Sequence, residues 1–171
     1  FERFLREGTI ARDTTRDFYI YKQIWGAHVQ IGLVAAASCQ DYLDDVIKKH
    51  ELTRVDKEND RMRHIETLGA QTGPVFLTYR RNDAVDALVA EGMGRAPEAD
   101  ITTSDGVRHV FFVVDDPGLV GRIRAAFAAI PHLYVADGHH RSAAATRIKV
   151  KRDRERPGRT GEEEDNFFLA V

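Results

Sequence analysis

Apolar residues follow two different spacings along this chain, and the two spacings separate predicted strands from predicted helices. Runs rich in β-branched and aromatic residues predict strands at 18–25, 28–38, 75–79, 101–103, 107–114, 133–135 and 167–171. Apolar residues three and four positions apart predict helices at 1–8, 40–49, 55–69, 82–91, 115–130 and 142–154. We therefore predict an α/β (α+β) fold class, with helices packed on a mixed β-sheet.

For two of the predicted strands, the sequence also indicates what lies next to them. The run 31–37 is apolar without alternation, which is typical of a strand covered on both faces. The run 167–171 closes the sequence as a strand, and because unpaired strand edges recruit partners, a homo-oligomer is a candidate assembly. Since the sequence opens in helical spacing and closes in a strand, we expect a single α/β domain, 1–171, from the middle of a longer protein.

Composition narrows the classes of partner. The chain has 171 residues, a net charge of −2 and a pI near 6.4, so it lacks the basic field that makes nucleic acid a good candidate. No apolar run approaches the roughly 20 residues of a membrane span, which predicts a cytoplasmic protein without membrane contact. The single cysteine, Cys39, excludes an internal disulfide and a metal cage made of thiolates alone.

The segment 134–145 carries the strongest chemical signal. A short strand runs into Asp137-Gly138, a turn signal, and an alanine-rich helix follows from Ser142. The first backbone N–H groups of a helix are free and the helix dipole is positive there, so this junction suits an anion. His139-His140-Arg141 adds three possible donors, which favours a phosphate. The alternative is that Asp137 only caps the helix and Gly138 only supplies the turn.

A second polar cluster follows the predicted helix 40–49. Its candidate residues are His50, Glu51, Thr53, Arg61 and His64. Arg61 and His64 belong to a cationic stripe on the predicted helix 55–69, together with Arg54 and Lys57. Such a stripe is equally typical of a solvated surface whose cations pair with acids such as Glu58 and Asp60.

The two clusters each end a β/α unit, and ligands of such sheets gather where strand ends meet helix starts. If they converge, one pocket holds two carboxylates, several imidazoles and two arginines, a set that suits phosphoryl transfer with ATP or ADP and Mg²⁺. A zinc site made from His50, His64, His139 and Asp137 is the alternative, although Arg61 and Arg141 would oppose a cation. His50-Glu51 lacks the second histidine of the His-Glu-x-x-His pattern, and neither glycine-rich nucleotide loop occurs.

Three segments together resemble one large family of uncharacterised proteins, the domain of unknown function 1015. They are 48–54 (Lys-Lys-His-Glu-Leu-Thr-Arg), 72–79 (Thr-Gly-Pro-Val-Phe-Leu-Thr-Tyr) and 135–141 (Val-Ala-Asp-Gly-His-His-Arg). The Asp-Gly-x-His-Arg turn is also similar to the phosphate-gripping turn of the ParB and sulfiredoxin fold, which includes the free-serine kinases. Sulfiredoxins have a cysteine where this chain has His139, so their thiol chemistry is not implied.

The resemblance to the free-serine kinases implies roles for individual residues. Glu51 would be the base for a substrate hydroxyl, Asp137 a second acid or the Mg²⁺ ligand, and His139, His140 and Arg141 the phosphate grip. We thus predict Glu51, Asp137 and His139 as catalytic residues and Asp137 as the metal ligand. The predicted cofactor-binding residues are Gly138, His140, Arg141, His50, Thr53, Arg61 and His64. The leading hypothesis is a small-molecule kinase that takes a phosphate ligand; the alternatives are a non-catalytic nucleotide switch and a metal-dependent hydrolase.

Overall fold

A computed structural model describes residues 1–171 and confirms a mixed α+β fold. The strands are β1 (Phe18–Trp25), β2 (His28–Ser38), β3 (Ile47–Lys48), β4 (Phe76–Thr78), β5 (Ala99–Thr102), β6 (Arg108–Val114), β7 (Leu133–Asp137) and β8 (Phe167–Ala170). The helices are α1 (Glu2–Arg6), α2 (Cys39–Leu43), α3 (Val55–Leu68), α4 (Asp83–Gly92), α5 (Pro117–Ala128) and α6 (His139–Glu155). A short 3₁₀ turn, Glu164–Asn166, precedes β8.

The strands form two sheets that meet at β8. The first is an antiparallel sheet in the order β5-β6-β1-β2-β8, and the second has the order β3-β7-β4. β8 also binds the chain entering β4, because Val75 N–H donates to the Leu169 carbonyl and Leu77 N–H donates to that of Val171, both at 2.9 Å. β8 is therefore paired on both sides, and the predicted free edge at 167–171 does not exist.

The parallel pair in the second sheet positions the site. β3 runs parallel to β7, with Ile47 opposite Leu133 and Lys48 opposite Tyr134, so both strands end at the same edge of the sheet. β4 lies antiparallel on the other side of β7. The chain after β3 and the chain after β7 consequently emerge side by side.

Two hydrophobic clusters build the core, one for each part of the sheet system. The cluster beside the first sheet contains Ile20, Val110, Phe112, Val114, Leu119 and Ile123. The cluster beneath the second sheet contains Cys39, Ile47, Val75, Val135, Ala145, Phe168 and Ala170. The second cluster anchors the small-residue face of α6, which also packs against α3 and α2. The start of α6 is therefore fixed by buried packing on several sides.

Several predicted elements agree with the structure, and two further predictions are wrong. The hairpin partners β1 and β2 have the predicted bounds, and α3 ends at the predicted Gly69, which is left-handed with φ 64°. The helix predicted at 40–49 ends at Leu43, because Asp45 turns with φ 59° and lets Ile47 enter β3. The strand segment 31–37 is not covered on both faces, since Ile31 is 42 % exposed.

One face of β2 borders an apolar cavity of about 550 Å³ instead. This cavity lies among both sheets and α5, and aliphatic and aromatic side chains such as Leu33, Leu77 and Phe127 line most of it. No helix combines the length and the apolar composition that crossing a membrane requires.

Candidate functional site

Helix α6 begins at His139, three residues earlier than the Ser142 start predicted from the sequence. Gly138 is the N-cap and has φ 95°, a conformation that glycine adopts without a Cβ penalty. No side chain caps the helix, so Asp137 does not act as the N-cap that the simpler interpretation assigned to it. His139 and His140 occupy the first turn, where backbone N–H groups have no partner within the helix.

Arg141 joins the end of β7 to the loop before β4. Its Nη2 donates to Oδ2 of Asp137 at 2.5 Å, and its Nη1 donates to the carbonyl of Pro74. The guanidinium lies directly over Gly138, where an added Cβ would lie 3.1 Å from Nε. Arg141 therefore uses part of its donor capacity to hold the turn together, and its charge is balanced by Asp137.

The polar segment after β3 meets the start of α6 directly. Oε2 of Glu51 lies 3.4 Å from Nδ1 of His139. The His50 and His139 rings meet edge to face, with their centroids 4.4 Å apart. The backbone N–H of Arg54 donates to Nε2 of His140 at 3.2 Å. The two sequence clusters, some 85 residues apart, thus share one edge of the second sheet.

The meeting point encloses a polar pocket of about 190 Å³ without any hydrophobic lining residue. Its lining residues are Glu51, Arg61, Asp137, Gly138, His139, His140 and Arg141. We call this the polar pocket. All seven lining residues are among the ten candidate residues predicted from the sequence. Two other candidates lie elsewhere, because the hydroxyl of Thr53 donates to Glu58 and His64 is exposed on α3. His50 is not a lining residue, but its ring packs against that of His139 at the pocket wall.

His139 is the least exposed of these side chains, at 4 %. Burial lowers the pKa of His139 below its ordinary value, although the neighbouring Glu51 carboxylate acts in the opposite direction. The ring is therefore neutral near pH 7. Its Nε2 is buried without a hydrogen-bond partner. Such an unpaired buried nitrogen is uncommon in proteins, and a catalytic role or a bound water, ion or ligand would account for it.

The hydrogen bond to His140 determines which of its ring nitrogens carries the proton. A backbone N–H can only donate, so Nε2 of His140 accepts from Arg54 and cannot carry a hydrogen. The neutral ring then has its proton on Nδ1. His140 lines the polar pocket and is half-buried, so it can donate one hydrogen bond to an anion there without losing its bond to Arg54.

One supporting pair was missed in the sequence, where Glu58 was assigned to the solvated surface. Glu58 is buried at 8 % exposure and accepts from Nη1 of Arg147 at 2.7 Å, which ties α3 to α6. Burial raises the pKa of Glu58, but the hydrogen bonds from Thr53 and Arg147 outweigh it and lower the pKa overall. The available signal was the position of Glu58 between Val55 and Met62, at helical spacing on the apolar side.

The apolar cavity is the other candidate for a ligand site, and its volume is nearly three times that of the polar pocket. No histidine lines this cavity, and the only charged side chains in its lining are Asp41 and Arg124. The chemistry-bearing residues are concentrated in the polar pocket, so the smaller space is the better candidate for a reactive site.

Comparison with known families identifies the chain. The family described as protein of unknown function (DUF1015) matches residues 1–171, and the chain belongs to this family. Searches of curated proteins and of solved structures found no match. The description of the family names no activity, so the geometry of the polar pocket is the basis for a proposed function.

Proposed function

We propose that this DUF1015 member binds the phosphate groups of a nucleotide in the polar pocket and transfers a phosphoryl group to a small molecule. The observation that carries the proposal is the composition of the pocket: a helix N-terminus, His139, His140, Arg61 and Arg141 converge beside Glu51. Free N–H groups and cationic side chains at a helix start attract phosphate oxygens. The resemblance of the Asp-Gly-x-His-Arg turn to that of the free-serine kinases supports the same assignment.

The pocket supplies phosphate ligands, a metal ligand and a base for the proposed transfer. Arg61 and the first-turn N–H groups of α6 hold the phosphate oxygens, and His140 donates from Nδ1. Asp137 has one oxygen bound to Arg141, and its other oxygen is free to hold Mg²⁺. Glu51 takes the proton of the substrate hydroxyl as that oxygen bonds to the terminal phosphorus. The bond from this phosphorus to the bridging oxygen breaks, and the shortened nucleotide leaves.

The pocket volume of about 190 Å³ matches a phosphate group and a small hydroxyl compound better than a whole nucleotide. The nucleoside part would consequently extend over the exposed surface near α3. Glu51 is 59 % exposed, so its side chain is free to turn toward an incoming hydroxyl. A small polar substrate is therefore the class to test first.

The test is phosphoryl transfer from ATP or ADP, with Mg²⁺, to a panel of small hydroxyl compounds, followed by phosphorus NMR. A base-deficient variant, Glu51→Gln, should lose turnover by a factor of about 10² or more while nucleotide binding persists. A non-catalytic switch would bind nucleotide without any turnover in the unmodified protein. Absence of binding for every nucleotide and phosphate tested would contradict the proposal.

A second candidate function is metal-dependent hydrolysis. One observation favours it: His50, Glu51 and His139 each place a potential ligand atom within 4.8 Å of the other two. Hydrolysis would replace the hydroxyl substrate with water at the same pocket, so the two candidates differ in the acceptor and in the required metal.

A further inference from the structure

Three side chains at the wall of the polar pocket have the composition of a transition-metal site. His50, Glu51 and His139 offer two imidazole nitrogens and one carboxylate oxygen within 4.8 Å of one another. Two of the separations are 3.4 Å from His139 Nδ1 to Glu51 Oε2 and 3.8 Å from His50 Nε2 to Glu51 Oε1, so the two imidazoles approach different oxygens of the carboxylate. Ligand atoms of a tetrahedral zinc site lie about 3.3 Å apart, given metal–ligand distances of about 2.0–2.1 Å.

The burial of His139 supplies an independent reason to expect a ligand. The side chain is 4 % exposed, and neither of its ring nitrogens completes a hydrogen bond within the protein. Nδ1 faces Glu51, and Nε2 is buried without any partner. Nδ1 is the nitrogen that faces the cluster, and a metal ion between Nδ1 and Glu51 would give this buried ring a ligand bond in place of the hydrogen bonds to water that it loses on folding.

The other two groups are able to adjust around that fixed ring. His50 and Glu51 are 61 % and 59 % exposed, and no hydrogen bond within the protein holds either side chain. Small rotations of these side chains can therefore bring all three ligand atoms to coordination distance. The rigid member is the buried histidine of α6, and the mobile members follow β3.

The charge around the cluster permits a cation. The sequence suggested that Arg61 and Arg141 would oppose a metal, but Arg141 is paired with Asp137 and also bonded to the carbonyl of Pro74. Arg61 is exposed and lies 3.5 Å from Asp60. Arg141 therefore has its own carboxylate partner, whereas Arg61 shares Asp60 with Arg63 at the exposed surface, so the repulsion of a cation is reduced but not removed.

From these contacts we infer that His50, Glu51 and His139 bind one divalent transition-metal ion, with Zn²⁺ as the best match. Two nitrogens and one oxygen favour zinc over Mg²⁺, which prefers oxygen ligands. Three protein ligands leave a fourth position for water or a phosphate oxygen. Glu51 and His139 also line the polar pocket, so this open position lies at the pocket wall. The site is distinct from the Mg²⁺ position proposed at Asp137, and its occupancy requires no nucleotide. Because zinc takes Glu51 as a ligand, Glu51 acts as the base of the proposed transfer only in the zinc-free chain.

The experiment is a calorimetric titration of the chelator-treated chain with Zn²⁺, Co²⁺ and Mg²⁺ in the absence of nucleotide. The unmodified protein should bind one zinc ion per chain and prefer it strongly to Mg²⁺. Because His50 is exposed, His50→Ala should fold normally and weaken zinc binding at least tenfold. The matched control is His64→Ala, an exposed histidine outside the cluster, which should bind zinc as the unmodified protein does.

A second measurement examines the buried ligand His139 without a substitution there, which would also disturb folding. In imidazole NMR spectra, zinc should shift the ring signals of His50 and His139 and leave those of His64 in place. Failure of the unmodified protein to bind zinc, undiminished binding by His50→Ala, or zinc-dependent shifts confined to other histidines would each overturn the site. Phosphate binding measured with chelator present tests the proposed function separately, so either one can fail while the other stands.

Discussion

The backbone N–H of Arg54 donates to Nε2 of His140 at 3.2 Å, across 86 positions of sequence. This bond ties the chain after β3 to the first turn of α6, and it orients the His140 ring toward the polar pocket. Together with the pair of Glu58 and Arg147, it holds α3 against α6. The pocket is thus assembled by specific polar contacts between segments that are distant in sequence.

Removing the His140 ring should loosen this connection. In His140→Ala, the Arg54 amide loses its acceptor, and one such bond contributes about 0.5–1.5 kcal/mol. We expect hydrogen exchange at Arg54 to be faster by about two- to tenfold, with smaller changes in the core strands. Mass-spectrometric or NMR exchange measures this directly. His132→Ala, an exposed histidine in the loop before β7, is the control and should leave the Arg54 rate unchanged.

Two features require glycine at position 138: the left-handed backbone conformation and the Arg141 guanidinium that lies above it. In Gly138→Ala, a Cβ would force a left-handed alanine and lie 3.1 Å from Nε of Arg141. We expect the free energy of unfolding to fall by at least 1–2 kcal/mol, on the order of the left-handed penalty alone. Urea denaturation measures the loss.

The control for that substitution is Gly121→Ala, at a solvent-exposed position away from the ends of α5. An added Cβ there meets nothing within 4 Å, and the backbone is helical. This variant should be more stable by about 0.5–1 kcal/mol, because alanine favours the helix over glycine. Equal effects of the two substitutions would contradict the role given to Gly138.

Asp165 makes the stability of the chain sensitive to acid. Hydrogen bonds from Arg159, and then from Arg152, hold the pKa of Asp165 at about 2, below its ordinary value of 3.8. Because the folded-state pKa is depressed, its stabilisation is complete above about pH 4 and is lost as the pH falls toward 2. At neutral pH, Asp165→Asn should lower the free energy of unfolding by about 1–3 kcal/mol.

Urea denaturation at several pH values provides the measurement. The difference between the unmodified protein and Asp165→Asn should shrink steadily from pH 4 to pH 2. Glu162→Gln is the control, because the pair of Glu162 with Arg16 is exposed and should contribute little. A difference that stays constant down to pH 2 would show that Asp165 does not act through its charge.

The sequence predicted those parts of the fold that local interactions determine. β1 and β2 have the predicted bounds, because β-rich runs flank a short turn at Gly26. Asn82 and Asp116 cap α4 and α5 where the pattern placed the helix starts. These signals lie within a few residues of the feature that they define.

The sequence did not predict features that depend on contacts distant along the chain. The early start of α6 follows from Gly138 in the left-handed conformation and from Arg141 binding Asp137 and Pro74. The burial of Glu58 depends on Arg147, 89 positions away, and no local pattern identifies that partner. Similarly, the double pairing of β8 appears only once Val75 and Leu77 are placed beside it.

The polar pocket contains an arginine that can be removed with little risk to the fold. Arg61 lines the pocket and is 51 % exposed, whereas Arg63 on the same helix lies outside the lining and is 78 % exposed. Both contact Asp60, at 3.5 Å and 3.2 Å, so they share one ion-pair partner. Arg61→Gln and Arg63→Gln therefore remove the same charge from the same surface and differ chiefly in access to the pocket.

The most direct test of the central claim is calorimetric titration of these two variants and the unmodified protein with pyrophosphate and with ATP and Mg²⁺. The account predicts that the unmodified protein and Arg63→Gln bind with similar affinity. Arg61→Gln should bind about tenfold more weakly, a difference of about 1.4 kcal/mol. If no phosphate compound binds, or if the two variants lose affinity equally, the polar pocket is not a phosphate site.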